Sequence, residues 1–401
     1  MNSICLYFEV HQPFRLRPYS VFEIGNNPFY LDQDKNHQIM RKVGDKCYLP
    51  TTRLLLELIE HYRGDFRITF SVTGTAMEQF RHWYPEVMDQ FKRLADTGQV
   101  EFLAETYYHS LASLYSRQEF HKQIHKHVEL MQSELGVTPR AFRNTELIFS
   151  NQVAALVSEM GYKTILMEGA DHLLGERSPN HVYRHAHHPE LRCMLKNYRL
   201  SDDIAFRFSD RNWSEYPLSA DKFSRWIHSH AGSGETFNLF MDFETFGEHQ
   251  WADSGIFDFL RFMPEAIMKH PDFAFRTVSE AAQRHPVRDT VESDHPISWA
   301  DTERDISAWT GNALQQQAIN AIYELEEQVY ASQVPELIDI YGKLQTSDHF
   351  YYMCTKYFND GDVHKYFSPY QTPHDAYIYY MNVLHDFRQM LDTKSWKNDV
   401  A

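Results

Sequence analysis

Residues Asn238–Trp251 read NLFMDFETFGEHQW. Phe237, Leu239, Met241 and Phe243 alternate with Asn238, Phe240, Asp242 and Glu244. The first half has the near-continuous apolarity of a strand buried on both faces, as in a parallel sheet. The second half crowds Asp242, Glu244, Glu248 and His249 together. Burying several carboxylates side by side raises their pKa values and costs stability. A core strand that ends this way therefore points to acid/base work at its C-terminal end.

Other stretches repeat the theme. ICLYFEV, FRITFSVTG, VEFLAETYY, AFRNTELIF, KTILMEG and FAFRTVSE also read as strands, and amphipathic helices such as YPEVMDQFKRLADTG and NQVAALVSEMG lie between several of them. Such alternation implies parallel strands, in a doubly wound sheet or a barrel. EVHQPFR follows the first strand where a nucleotide-binding fold would place a Gly-rich loop, which weakens that version of the fold. From about Asp301 the pattern turns helical, as in NALQQQAINAIYELEEQVY and HDAYIYYMNVLHDFRQML. The expected organisation is a barrel over 1–290 and a helical region over 291–401 that completes the cleft.

Composition narrows the partners. The 401 residues carry 39 Lys and Arg against 55 Asp and Glu, a formal net charge of −16. This argues against a general nucleic-acid binder or an anionic membrane surface. Cys5, Cys47, Cys193 and Cys354 show no paired spacing, and the chain opens on SICLYFEVH with no secretory pattern, so a cytoplasmic setting is expected. His121 and His125 have metal-ligand spacing but no Glu between them and read as a solvated helix face; the histidines of YRHAHHPE read as surface loop.

Four strand ends are polar. Along ICLYFEVHQP, Tyr7, Glu9 and His11 share the face opposite Ile4, Leu6, Phe8 and Val10, so Glu9 and His11 are expected to face the barrel mouth. Glu101, Glu105 and Tyr107 share a face in the second. In the third, Phe142, Asn144 and Glu146 oppose Arg143, and in the fourth Asp242 and Glu244 fall together. Two carboxylates across a cleft suit glycosidic bond cleavage, one as nucleophile and one as proton donor.

On these residues the chain resembles glycoside hydrolase family 57, in its α-amylase branch. HQP at His11–Pro13, GQVEFLAETYYHSLASL from Gly98, FRNTELIFS from Phe142, FMDFETFGEHQW from Phe240 and ISWADTERDISAWTGN from Ile297 match the family's five conserved regions in order, and NYRLSDDIAFRFS is similar to this branch. The resemblance spans roughly Ile4 to Asn312. It implies an incomplete TIM-like (β/α)7 barrel with a helical C-terminal region and a retaining hydrolase of α-1,4-glucans. Glu146 would be the nucleophile and Asp242 the acid/base. Glu9, His11, Tyr107, Glu244, His249, Trp299, Asp301, Asp305 and Trp309 would bind substrate, with Trp299 or Trp309 stacking on a glucose ring and Asp305 bonding sugar hydroxyls. No cofactor or catalytic metal is expected. The partner would be an α-glucan or maltooligosaccharide. Glu9 stands where some transferases of the family carry His, which places the chain away from that group. The alternatives are a 4-α-glucanotransferase or branching enzyme using the same carboxylates, a catalytically weak glucan-binding homologue, and a metal-dependent deacetylase on a related barrel.

Overall fold

A computed structural model describes residues 1–356 and 368–393. Its strands are β1 (Asn2–Val10), β2 (Ile68–Val72), β3 (Val100–Phe102), β4 (Phe142–Arg143), β5 (Thr164–Glu168), β6 (Val182–His185), β7 (Arg192–Lys196), β8 (Thr236–Asp242), β9 (Phe273–Phe275) and β10 (Val287–Val291). One sheet runs β3-β2-β1-β8, and the other contains β7-β5-β4, all in parallel pairs. A parallel bridge between Ala104 and Phe142 joins β3 to β4. At the opposite seam, Asn197 N–H donates to Asn238 O at 2.9 Å, and the Asn238 side-chain amide donates to Leu195 O at 2.8 Å. These links close seven parallel strands into a ring in the order β1-β2-β3-β4-β5-β7-β8, an incomplete TIM-like barrel.

Period-2 alternation sets what each face meets. Ile4, Leu6, Phe8 and Val10 pack outward with Leu239, Met241 and Phe243 against the surrounding helices. Cys5, Tyr7 and Phe240 point inward and fill the lumen with Leu166 and Met194. Helix Val278–Arg284 plugs the N-terminal end through Val278, Ala281 and Ala282. Most polar groups at the strand ends gather at the C-terminal mouth, whereas Glu101 of β3 turns to the plug and accepts a hydrogen bond from Ser279 N–H at 2.9 Å.

Three strands lie where the sequence pattern gives no strand. β6 and β10 flank the ring, and β7 belongs to it. RCMLK has only three apolar residues between two charges, too short for a periodic signal. FAFRTVSE supplies β9, which pairs with Asn2–Ile4 of β1 and stays outside the ring. His185, expected in a surface loop, ends β6 and is buried, with its ring bonded to Asn151 at 3.0 Å.

Helices dominate from Ser307, including Ala313–Tyr323, Pro335–Leu344, Ser347–Tyr351 and Pro373–Thr393. Their common core also takes in Leu16, Tyr19 and Tyr30 from the segment after β1, and Leu111 and Ile148 from loops at the barrel mouth. The helical region therefore sits against the end of the barrel that carries the polar groups. Among the described residues, no helix is long and apolar enough to cross a membrane.

Candidate active site

Glu9 and Asp242 are register partners on β1 and β8, so both reach the mouth at one level. Glu9 is buried, receives a hydrogen bond from Arg143 on β4, and lies 3.3 Å from His109 Nδ1. Glu105, fully buried in the loop after β3, lies 3.7 Å from both His109 Nδ1 and Arg143. Burial opposes charging His109, but Glu9, Glu105 and Glu146 overcome it and push the pKa up to about 10. An imidazolium and a guanidinium thus neutralise much of the carboxylate charge beneath the mouth.

Glu146 reaches this cluster by a route that strand alternation does not give. β4 ends at Arg143, and Glu146 and Leu147 turn left-handed with φ of 57° and 51°. The expectation of Phe142, Asn144 and Glu146 sharing the lumen face is therefore corrected. Phe142 packs outward among the helices, and Arg143 points inward, fully buried. The turn then swings Glu146 back to the mouth. Its Oε1 meets His109 Nε2 at 3.1 Å and accepts from Ser347 at 3.3 Å, while its Oε2 accepts from the Trp299 indole N–H at 2.8 Å. Burial raises the Glu146 pKa, but the His109 bond and charge, the Arg143 charge and the Trp299 bond outweigh it and hold the carboxyl below its ordinary value.

Asp242 is displaced the other way. Burial lifts its pKa, His249 opposes, the nearby Glu146 charge lifts it further, and the net position is above the ordinary value. Glu244 lies within a short 3-10 turn, Phe243–Thr245, and accepts hydrogen bonds from Tyr48 and, at 3.5 Å, Gln12; burial and Asp242 push its pKa up to about 8. His11 bonds Thr73 at 3.0 Å and Asp348 at 2.9 Å, and its ring stacks on His109 with centroids 4.0 Å apart.

With this geometry in place, comparison with known proteins identifies the lineage. Residues 5–294 match the sequence model described as Glycosyl hydrolase family 57. The chain is 43% identical over 398 residues to a Methanocaldococcus jannaschii protein that carries the provisional name alpha-amylase, covering 96% of this chain and 84% of that one. The chain belongs to glycosyl hydrolase family 57. Solved structures agree at the level of fold. A family 57 branching enzyme from Pyrococcus horikoshii superposes with a TM-score of 0.70 at 14% identity, over 96% of this chain and 88% of that chain. An α-amylase from Thermotoga maritima gives 0.63 at 12% identity, over 98% and 94%. A 4-α-glucanotransferase from Thermococcus litoralis gives 0.63 at 15% identity, over 87% of this chain; this chain spans 56% of that enzyme.

Within the family 57 barrel, Glu9, His11, Glu146, Asp242, Glu244, His249 and Trp299 are brought to one mouth. Other expected binding residues are not. Tyr107 lies over Gly74, where a Cβ would sit 2.5 Å from its ring, and its hydroxyl donates to Glu78 at 2.7 Å. Trp309 is 1% exposed in the helical core and offers no face to a sugar. The Asp305 carboxylate accepts from Ser307 N–H at 2.8 Å and from the Ser307 hydroxyl, which ties it to the start of helix Ser307–Thr310. Asp301 pairs with Lys356 at 3.1 Å.

His109, Tyr48, Ser347 and Asp348 are site residues that the strand pattern missed. His109 lies beyond β3 in irregular chain, and Asp348 comes from a helix 337 positions away from its partner His11. No local signal marks such a contact. Among the described residues, two groups could bring ligand atoms together for a metal ion: His11, His109 and Asp348, or Glu9, Glu105 and His109. In the first group the His11, His109 and Asp348 atoms are engaged with one another, with Thr73 or with Glu146, which a metal would have to displace. In the second, Glu9 Oε1 and both Glu105 oxygens have no hydrogen-bond partner, and Glu9 Oε1 and Glu105 Oε2 meet the cations His109 and Arg143 only at 3.3–3.7 Å.

Proposed function

We propose that the chain is a retaining hydrolase of α-1,4-glucosidic bonds in α-glucans. The observation that carries this reading is the opposite displacement of two carboxyls at one mouth: Glu146 is held below its ordinary pKa and Asp242 above it. Environments that separate a carboxyl pair in this way assign an ionised nucleophile and a protonated acid. A Glu146 oxygen attacks the anomeric carbon as the bond to the leaving sugar oxygen breaks. That oxygen takes the Asp242 proton. Water then attacks the glycosyl-enzyme, gives a proton back to Asp242 and releases Glu146. The provisional name of the Methanocaldococcus jannaschii relative supports the α-amylase assignment, and Glu9 in place of the His of some transferases supports hydrolysis over transfer.

Azide chemistry tests the roles. With an activated α-glycosyl fluoride, Glu146→Gly should yield a β-glycosyl azide by direct attack. Asp242→Ala should yield the retained α-azide, by interception of the glycosyl-enzyme. The reverse pattern means the roles are exchanged, and unchanged activity in both variants removes the assignment. A maltoheptaose digest tests the reaction: only shorter products support hydrolysis, and longer ones support a glucanotransferase.

A further inference from the structure

Trp299 is one of two indoles, with Trp309, of which at least one was expected to stack on sugar, but its surroundings give it a different task. The Trp299 indole donates to Glu146 Oε2 at 2.8 Å, and the Trp299 backbone N–H donates to the Glu146 carbonyl at 3.2 Å. Three positions after Glu146 and two before Trp299, Phe149 and Ile297 exchange backbone hydrogen bonds of 3.0 and 2.9 Å in an antiparallel bridge. Segment 297–299 therefore runs as a short ladder along 146–149. It braces the left-handed Glu146–Leu147 turn, a conformation that residues other than glycine hold only when their surroundings over-determine it.

The indole is itself fixed. Arg143 and Lys196 lie over its ring at 5.3 and 5.2 Å from the centroid, where a pyranose would have to compete with two cations. Arg304 donates to the Trp299 carbonyl, and its guanidinium lies 3.6 Å from Glu168 and 3.5 Å from Asp202.

We infer that Trp299 is a positioning residue: its indole N–H orients the Glu146 carboxylate and favours the ionised form, and its backbone holds the turn that presents it. This rests on the reading of Glu146 as nucleophile. Groups facing Glu146 come from every neighbouring element: Glu9 on β1, Glu105 and His109 after β3, Arg143 on β4, Asp242 on β8, Lys196 through the Trp299 ring, and Asp348 beside Ser347. These remain in place when only the indole N–H is removed.

The test compares Trp299→Phe with replacement of Trp299 by 3-benzothienylalanine, introduced by stop-codon suppression, which keeps the bicyclic ring and lacks the N–H. For positioning, both should lower kcat/KM on maltoheptaose by about 10- to 100-fold through loss of a hydrogen bond to a charged group. Both should move the acidic limb of the pH profile up by about one unit, with KM little changed. A platform role gives a raised KM in Trp299→Phe, recovery in the benzothienyl form and an unmoved acidic limb, and it overturns the inference. So does a lowered melting temperature with an unchanged limb. Should Trp299→Phe not fold, the benzothienyl form alone decides. A Glu146→Gln control separates the two levels: full activity there removes the nucleophile reading itself, whereas an inactive control with an unmoved limb in the Trp299 forms removes only the role of Trp299.

Discussion

His109 balances three carboxylates in the mouth. It is buried, cationic and shared among Glu9, Glu105 and Glu146. Replacing it, as in His109→Asn, should raise the Glu146 pKa, shift the acidic limb of kcat/KM upward and lower kcat/KM by about 10- to 100-fold. Its own titration should register in stability. The folded-state pKa of about 10 lies above the ordinary imidazole value of 6.5, so its contribution is fully present below about pH 6.5 and is lost as pH rises toward 10. Melting temperature should therefore fall from neutral to alkaline pH in the native chain, with a weaker dependence in His109→Asn. For the carboxyl pair, the acidic limb of kcat/KM should sit below the usual carboxylate range and the basic limb above it. Loss of the basic limb in Asp242→Asn, measured on an activated substrate, checks the second assignment.

At the scale of elements, legibility followed strand length. β1 has 9 residues and β8 has 7, long enough for alternation to assign Glu9 and Asp242 to the lumen. β3 has 3 residues and β4 has 2, and there parity failed: Arg143 took the inward place, and a turn delivered Glu146. Nothing in the residue types Glu and Leu announces positive φ, so that turn could not be read from sequence. Helix Ser347–Tyr351 was equally silent, although it supplies Ser347 to Glu146 and Asp348 to His11. It is fastened to the mouth by Ser347 N–H on His109 O at 2.9 Å and by the Thr346 hydroxyl on Tyr108 O at 2.9 Å. Asp348→Asn should lower kcat/KM by about tenfold, the scale of one weakened charged hydrogen bond, with little change in melting temperature. Equal losses of activity and stability would instead assign Asp348 to holding the helix.

The whole molecule depends on how its ring is closed. At the β7–β8 seam, buried Asn238 spans with one side-chain bond, and its Oδ1 has no partner. Asn238→Ala should destabilise the chain by about 1–3 kcal/mol in denaturant titrations, the range for leaving buried backbone groups unpaired. The mouth balances its carboxylates with Arg143 and His109, so exhaustive chelation should leave activity intact. Loss of activity that zinc restores would redirect attention to the deacetylase alternative. The barrel class was legible because parallel strands between helices repeat through most of the chain. Membership of β7 in the ring was not, because its pairing with β5 and its seam with β8 are set by the closed ring and leave little trace in five residues.

Among the ring strands, β1 has the longest wait for its last partner. β1 lies between β2 and β8, and its ladder to β8 runs from Ser3↔Thr236 to Glu9↔Asp242. During synthesis its edge toward β8 stays open until Thr236–Asp242 has left the ribosome, and His11 lacks Asp348 for longer still. Contacts so distant in sequence are formed late and leave strand edges exposed meanwhile. A nascent chain halted before Asp348 emerges should therefore carry a nearly complete barrel whose mouth still lacks helix Ser347–Tyr351, so that full activity waits on the emergence of that helix.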